Sequence, residues 1–543
     1  MPAVRDESAS QAPERRRDWW RVSVVVALLA LAFLLGCFPM GDFDVWWHLR
    51  GGQFILEHGA IPQVDIFTYT NAGRPWIDVY WLFQIIIALL YRAGGVSALV
   101  LLKAAGGVAI VALALAVRRP GARLWPAVLA WLPAVIVLSG RLCERPELFS
   151  LLFLAGFLVV LGRAAERPRW LWLLPLLQLL WVNCHGFFVM GPLLSAAYAV
   201  ELLYQRVRYR NTGAPGLART FALAGGAVLV ACLINPYGIN AVSMPLQQFH
   251  KLGAEGIFRA NIGELKSIGD FITLAGVNNP YLLGFLLMLG LGFVSFVPLL
   301  VRGRFSPYRG LLFAGAAYLG WQATRNSSLL ALVAAVVSVA NLDDWLDSMR
   351  PKAPAPRRGR RAPRPRARRR IEPVLLAVIA MTVVAVVSGR LYAWAGEGRT
   401  IGFGERPRWY AHESCEFLAR PEMPERIVAF NLGQAGVCIA HVREQHKLFM
   451  DPRLETNSEE TFARYLAGLR GLWRGDGWEA PLGIDPGRPD EIPALLVERG
   501  ILSRVINMLA HDSRWRCVHA DPVAAVFVAT AFAEAHQLAA ITP

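Results

Sequence analysis

Residues 41–70 read GDFDVWWHLRGGQFILEHGAIPQVDIFTYT. Asp42 and Asp44 stand one residue apart, followed by Trp46, Trp47, His48 and Arg50. The stretch then runs through Gly51-Gly52, a short amphipathic segment ending at His58, a Gly59–Pro62 turn and Asp65. It begins where an apolar run over 22–39 stops. A run of that length reads as a membrane-spanning helix. The acids therefore sit at the exit of a span, with a tryptophan pair suited to the membrane interface.

Further apolar runs lie at 97–117, 124–140, 148–162, 170–184, 186–204, 220–235, 281–301, 308–324, 326–342 and 373–392, which makes eleven. Positive charge beside span ends sets orientation. Arg15, Arg16, Arg17 and Arg21 precede the first span and place the N-terminus inside. Basic clusters at 118–123, 163–169, 206–210, 302–309 and 350–370 then fall on the same side in alternation. This frame puts 41–96, 236–280 and 393–543 outside. It requires the thirteen apolar residues 79–91 to lie on the outer face as an interfacial helix rather than cross. Leu34-Leu35-Gly36-Cys37 also resembles a lipoprotein cleavage box, against the plainer reading of an uncleaved first span.

Hydrophobic residues make up 55% of the 543 and charged residues 18%, which sets aside a soluble globular enzyme, disorder and coiled coil. The net charge of +16 does not imply a nucleic-acid partner, because 350–370 alone carries +11. That loop, rich in arginine and proline, is expected to be disordered and to touch anionic lipid. The seven cysteines form no CxxC. Cys415, Cys438 and Cys517 allow one disulfide in the C-terminal region.

Ionisable groups are scarce inside the spans; Lys103 and Glu201 lie toward span ends, where they can snorkel. The polar chemistry is on the outward segments, which favours reaction at the interface over transport through the middle. Asp42 and Asp44 can supply a general base, or ligate Mg or Mn through oxygen. Arg141 and Arg145, between the third and fourth spans, and Arg325, between the ninth and tenth, run against the positive-inside trend and can hold a phosphate. His48, Arg50, Asp65 and His185 complete the substrate-binding candidates. Each also has a plainer reading, as helix caps, loop ion pairs or interfacial turns.

The segment FDVWWHLRGGQFILEHGAIPQVD (43–65) resembles the first outer loop of oligosaccharyltransferase catalytic subunits: an acid and aromatics, His-Leu-Arg, then Gly-x-x-Pro-x-x-Asp. These are type-C glycosyltransferases, as are the protein O-mannosyltransferases. The chain is also similar to bacterial membrane proteins of this type through WVNCHG (181–186), NPYG (235–238) and Asp451-Pro452-Arg453. The resemblance implies a polyprenyl-phosphate-linked sugar donor, with membrane lipid around the spans; with Asp44 or Asp42 taking the proton of an acceptor hydroxyl, attack on one face and departure from the other predict an inverting transferase. The WWDYG signature of oligosaccharyltransferases is absent, so the acceptor does not carry over.

The expected architecture is a polytopic α-helical membrane protein of about eleven spans, type-C glycosyltransferase-like, with a C-terminal extracytoplasmic α/β domain. Its parts are a cytoplasmic tail 1–21, a transmembrane domain 22–349, the basic cytoplasmic loop 350–372, a last span 373–392 and the domain 393–543, in a bacterial inner membrane. Within 393–543, strands are expected at 427–430, 436–442 and 447–450, helices at 458–473 and 490–499, and a hairpin over 515–530 turning near Asp521-Pro522. A lipid or glycan transporter and a non-catalytic envelope scaffold are the alternative functions.

Overall fold

A computed structural model describes residues 8–118, 122–210, 216–253, 256–349, 371–488 and 491–543. The basic stretch 350–370 lies outside these residues. The first part of the chain is helical: α1 (Ser8–Gly36), α2 (Asp44–His58), α3 (Trp81–Ala116), α4 (Leu124–Ser139), α5 (Glu147–Arg163), α6 (Leu173–Val182), α7 (Met190–Tyr209) and α8 (Leu217–Ala231). It continues through α9 (Ile239–Lys251), α10 (Ile257–Asn261), α11 (Ile268–Ala275), α12 (Pro280–Val301), α13 (Pro307–Gln322), α14 (Ser327–Ser348), α15 (Glu372–Val387) and α16 (Arg390–Trp394).

A helix stands at each of the eleven apolar runs. Among the described residues, five stretches are long and apolar enough to cross a membrane by length and composition: 19–36, 81–116, 186–209, 280–301 and 324–348. The chain is thus a polytopic helical membrane protein. Its core forms around α14, whose residues Leu329–Val339 are buried on every side against α4, α12 and α13. Such all-round burial explains why that stretch shows no amphipathic periodicity.

One sequence expectation holds here and one changes. The short helix expected at 79–91 is present from Trp81, and within α3 a break at Gly94–Gly95 separates it from the run that ends at Ala116. Gly95 has φ +59° and ψ −153°, a backbone that side-chain-bearing residues avoid. Lys103 and Glu201 do not snorkel. Lys103 is fully buried, 2.8 Å from Glu144, and donates to the Phe38 carbonyl. Glu201 accepts from Ser306 and from the Tyr308 backbone, fixing the α12–α13 turn.

The C-terminal part carries α17 (His412–Leu418), β1 (Arg426–Ala429), α18 (Leu432–His441), β2 (Lys447–Leu448), α19 (Glu459–Arg474), β3 (Ala494–Glu498), α20 (Arg499–His511), β4 (Trp515–Ala520), β5 (Ala524–Ala529) and α21 (Thr530–Ala535). The strands form one sheet in the order β2-β1-β3-β5-β4. β1 runs parallel to β2 and β3, whereas β3–β5 and the β4–β5 hairpin are antiparallel. Alternation decides the faces: Ile427, Ala429 and Leu496 pack toward α17, α18 and the first loop, and Val428, Leu495 and Val497 toward α19 and α20.

The expected strand at 436–442 is a helix, because Asn431 caps the Gly433 amide and starts α18. The expected helix at 490–499 is instead the central strand β3. Buried on both faces, it loses the alternation that marks a strand. A disulfide joins Cys415 of α17 to Cys438 of α18, and Cys517 is free and buried.

The first loop is built into both halves. Residues 67–69 pair with the β2 edge, Leu448 donating to Phe67 and Tyr69 to Leu448. On the other side, α2 crosses the start of α3 at Gly51-Gly52. A Cβ on Gly52 would sit 2.1 Å from the Gln84 carbonyl oxygen. Backbone cannot swing aside as a side chain can, so Gly52→Ala is expected to cost at least the 1–3 kcal/mol of overpacking. A lower unfolding temperature of the detergent-solubilised protein checks this.

Candidate active site

α1 ends at Gly36, and the chain turns through Pro39 into residues that are pinned by the C-terminal part. Met40 exchanges backbone hydrogen bonds with Gly404 and Arg406. Trp409 donates to the Gly41 carbonyl at 2.8 Å, and Tyr410 donates to the Asp42 carbonyl at 2.9 Å. The Phe43 ring stacks on Trp409 and meets Tyr410 edge-on. It lies against α18, where Gly433 leaves the room it needs.

The two acids have different surroundings. Asp42 is nearly buried. One oxygen accepts the Asp44 amide at 2.9 Å, closing the turn into α2, and the other accepts Arg145 Nε at 2.5 Å. Asp44, in the first turn of α2, keeps a quarter of its side chain exposed and lies 3.2 Å from Arg145 Nη2. Burial pushes its carboxyl up to about 7; Arg145 pulls it down, and Asp42 and Glu264 push it up.

From Arg145 a chain of alternating charges crosses the top of the bundle. Arg145 Nη1 reaches Glu264 at 3.2 Å, Glu264 takes Arg141 at 3.1 Å, and Arg141 takes Glu147 at 3.1 Å. Glu147 ends the chain by accepting from Ser328 at 2.8 Å. Although burial opposes its charge, the arginines hold the Glu264 carboxyl down to about 2. Both arginines read as phosphate contacts are thus committed to carboxylates. Arg325 is not: it has no ion pair among the described residues, and its buried Nε has no partner. Its charge acts on Glu264 and on His185.

His185 lies beside this arginine in the turn between α6 and α7. Trp181 donates to Ser150 at 2.7 Å, and the Ser150 hydroxyl lies 2.6 Å from His185 Nδ1. With Ser150 accepting from Trp181 and donating onward, the ring hydrogen is assigned to Nε2. Burial, with Arg325, pushes the imidazole down to about 3 and keeps it neutral. Asn183 holds the same turn by accepting from Trp81 at 2.9 Å.

Three candidates are elsewhere. His48 is packed among Trp47, Tyr80 and Phe83, and burial keeps it neutral. Arg50 makes a surface pair with Glu57, an interaction of little energetic weight. Asp65 is fully buried against Arg453, which also takes Asp451.

Sequence reasoning gave no role to Glu264, Ser150 and Glu455. Glu264 was legible only as one of several charged residues of the 236–280 loop, with nothing in the pattern to single it out. Glu455, with one buried carboxylate oxygen unpartnered, follows the Asp451–Arg453 turn, and its charge reaches Asp44.

A divalent cation fits this arrangement poorly. Arg145 occupies the place between Asp42 and Asp44 that the ion would take. Among the described residues no group of three or more His, Cys, Asp or Glu side chains is set to bind a metal.

No family model and no curated protein matches the sequence. Solved structures do. The apo oligosaccharyltransferase of Archaeoglobus fulgidus aligns over 91% of this chain and 71% of its own, at 12% identity and a TM-score of 0.51. The fold is type-C glycosyltransferase-like. ArnT of Cupriavidus metallidurans, solved with undecaprenyl phosphate, aligns over 94% and 98% at 16% identity and a TM-score of 0.49. The arabinosyltransferase EmbB of Mycobacterium smegmatis covers 63% of this chain and 31% of its own, at 18% identity and a TM-score of 0.37. The acidic pair of the first loop and the arginines of the α4–α5 turn form one continuous cluster of ion pairs.

Proposed function

We propose that the protein is a membrane glycosyltransferase that moves a sugar from a polyprenyl-phosphate-linked donor to an envelope acceptor at the outer face of the bacterial cytoplasmic membrane. In this reading all eleven apolar helices cross, the N-terminus is inside, and the C-terminal sheet with its helices is extracytoplasmic. The observation that carries it is that a quarter-exposed carboxyl near neutrality, Asp44, and an uncommitted arginine, Arg325, stand at the same end of a type-C-like fold.

Asp44 is the general base. The acceptor hydroxyl oxygen forms a bond to the sugar anomeric carbon, its proton passes to Asp44, and the bond from that carbon to the phosphate oxygen breaks. Attack opposite the leaving group inverts the anomeric centre. A hydroxyl is a weak nucleophile at neutral pH, and a placed carboxylate near pKa 7 is matched to the task. Asp42 does not take the proton, since its oxygens already hold the Asp44 amide and Arg145; it sets the turn that aims Asp44. Arg325 meets the charge that develops on the phosphate, and the neutral His185 can donate from Nε2 nearby. The lipid chain lies against the bundle. No step is routed through a metal.

The test compares intact, deleted and Arg325→Ala strains at equal protein levels, profiling surface glycans and the lipid-linked sugar pool by mass spectrometry. A lipid-linked sugar is expected to accumulate in the deletion and, at about 10²-fold reduced transfer, in Arg325→Ala. Arg325→Lys should recover part of the activity. An unchanged lipid-linked pool in the deletion would refute the transferase reading.

A further inference from the structure

The end of the bundle away from the acidic cluster holds a polar cavity of about 560 Å³. α7 begins beside His185 and α14 beside Ser328, both at the active-site end. Some twenty residues later each helix reaches this cavity, about 30 Å away at 1.5 Å per residue. Its walls come from the last turns of α7 and α14 and from the α12–α13 turn.

Three arginines line it. Arg309 is satisfied by Asp344 at 2.7 Å and Asn341 at 3.0 Å. The Arg302 guanidinium bonds only the neutral Ser348 hydroxyl, and the Arg304 guanidinium has no hydrogen bond or ion pair among the described residues. The cavity's other acid, Glu201, is occupied by Ser306 and the Tyr308 amide and, among the described residues, pairs with no arginine. Two guanidiniums therefore face a polar, roomy cavity without a carboxylate partner. Tyr209 closes one side through its hydrogen bond to the Gly303 carbonyl at 2.8 Å.

The helix surface leading to the cavity is of the opposite kind. On α7, Leu203 and Val207 are 62% and 74% exposed; on α12, Leu300 and Val301 are 56% and 82% exposed. A cationic pocket where exposed apolar helix ends meet water suits a molecule with a phosphate head and hydrocarbon tails. A soluble phosphate would use the arginines and leave the apolar walls unused.

We propose that this cavity is a binding site for the headgroup of an anionic phospholipid, held by Arg302 and Arg304, with its acyl chains along α7 and α12. The site is independent of the transfer chemistry and lies at the other end of the molecule. Guanidinium groups suit this role because their planar forks match phosphate oxygens.

The test uses the full-length protein in detergent. Bound lipid is counted by native mass spectrometry, and the unfolding temperature is followed on adding phosphatidylglycerol, phosphatidylcholine or inorganic phosphate. Phosphatidylglycerol is expected to remain bound and to raise the unfolding temperature, and phosphatidylcholine is not. The Arg302→Gln/Arg304→Gln variant should weaken phosphatidylglycerol binding about thirtyfold, from the loss of two cations at a lipid surface. The Arg302→Lys/Arg304→Lys variant should keep most of it. Arg206→Gln/Arg208→Gln, which removes the same charge from two residues of the last turn of α7 that do not line the cavity, should change little.

Equal binding of the two lipids overturns the proposal, as does an unchanged affinity in the glutamine variant. The full thermal shift with inorganic phosphate alone would overturn the lipid and assign the cavity to a soluble phosphate. If the glutamine variant does not fold, the lipid comparison on the unmodified protein still decides.

Discussion

Asp44→Asn is expected to lower turnover by about 10²–10⁴-fold, the contribution of a placed general base, with little change in KM. The asparagine keeps the shape and the position in the first turn of α2, and removes only the proton acceptor. Turnover of the unmodified protein should rise with pH through about 7, as the raised Asp44 carboxyl ionises. Arg145 favours that ionised form. Replacing it with glutamine should therefore move the rising limb to higher pH as well as lower the plateau.

Stability should change in the opposite sense to activity. A carboxyl whose folded pKa lies above its unfolded value favours the fold when protonated. That contribution is complete below about pH 4 and is lost as pH rises through about 7. At pH 8 Asp44→Asn should thus melt no lower than the unmodified protein, and somewhat higher. Initial rates across pH 5–9, paired with thermal unfolding at the ends of that range, check both statements. A variant that loses activity and stability together at pH 8 would mark Asp44 as structural.

The second large effect concerns Arg453. Its guanidinium is fully buried between Asp65 of the first loop and Asp451, over the rings of Phe67 and Trp76. Around it, Asn71 donates to Asn457 at 3.0 Å, and Lys251 of α9 donates to the Leu454 and Asn457 carbonyls. Three segments far apart in sequence meet at this one cation. Removing one member of a buried pair leaves a charge without compensation, which costs about 3–5 kcal/mol.

Arg453→Ala is therefore expected to lower the unfolding temperature more than any other single change named here, and to loosen the first loop from the β2 edge. Faster proteolysis within 59–75 would report that loosening. The triple change Asp65→Asn, Asp451→Asn, Arg453→Met removes the guanidinium together with both of its aspartates and should recover much of the loss, because neither aspartate is left as an unpaired buried ion. Recovery would separate electrostatic from packing effects.

The membrane part was legible because its signal is long and redundant: apolar runs and alternating basic clusters point the same way. The acidic pair was legible because it follows the first span directly. What sequence did not reveal was how charges pair across distance. Arg141 and Arg145 looked available for phosphate, but Glu264, more than 115 positions away, takes a nitrogen from each. Asp65 looked like part of the site because it stands in the same loop as Asp44. Its partner Arg453 is 388 residues away and pulls it into the interior. Local patterning also failed at α18 and β3, in each case because a cap or burial on both faces removed the cue.

The Cys415–Cys438 bond bears on how the site comes into being. It fastens α17 to α18, the helices that lie beside Trp409, Tyr410 and the Phe43 ring, and so it helps fix the platform on which Asp42 and Asp44 are set. A covalent link of this kind acts chiefly by narrowing the unfolded chain, and closing a loop of this size is worth about 3 kcal/mol. Such bonds persist only where thiols are oxidised. Alignment of the acidic pair is thereby coupled to the redox state of the compartment, so that a chain held in a reducing environment would carry every residue of the cluster yet lack part of the support that aligns them.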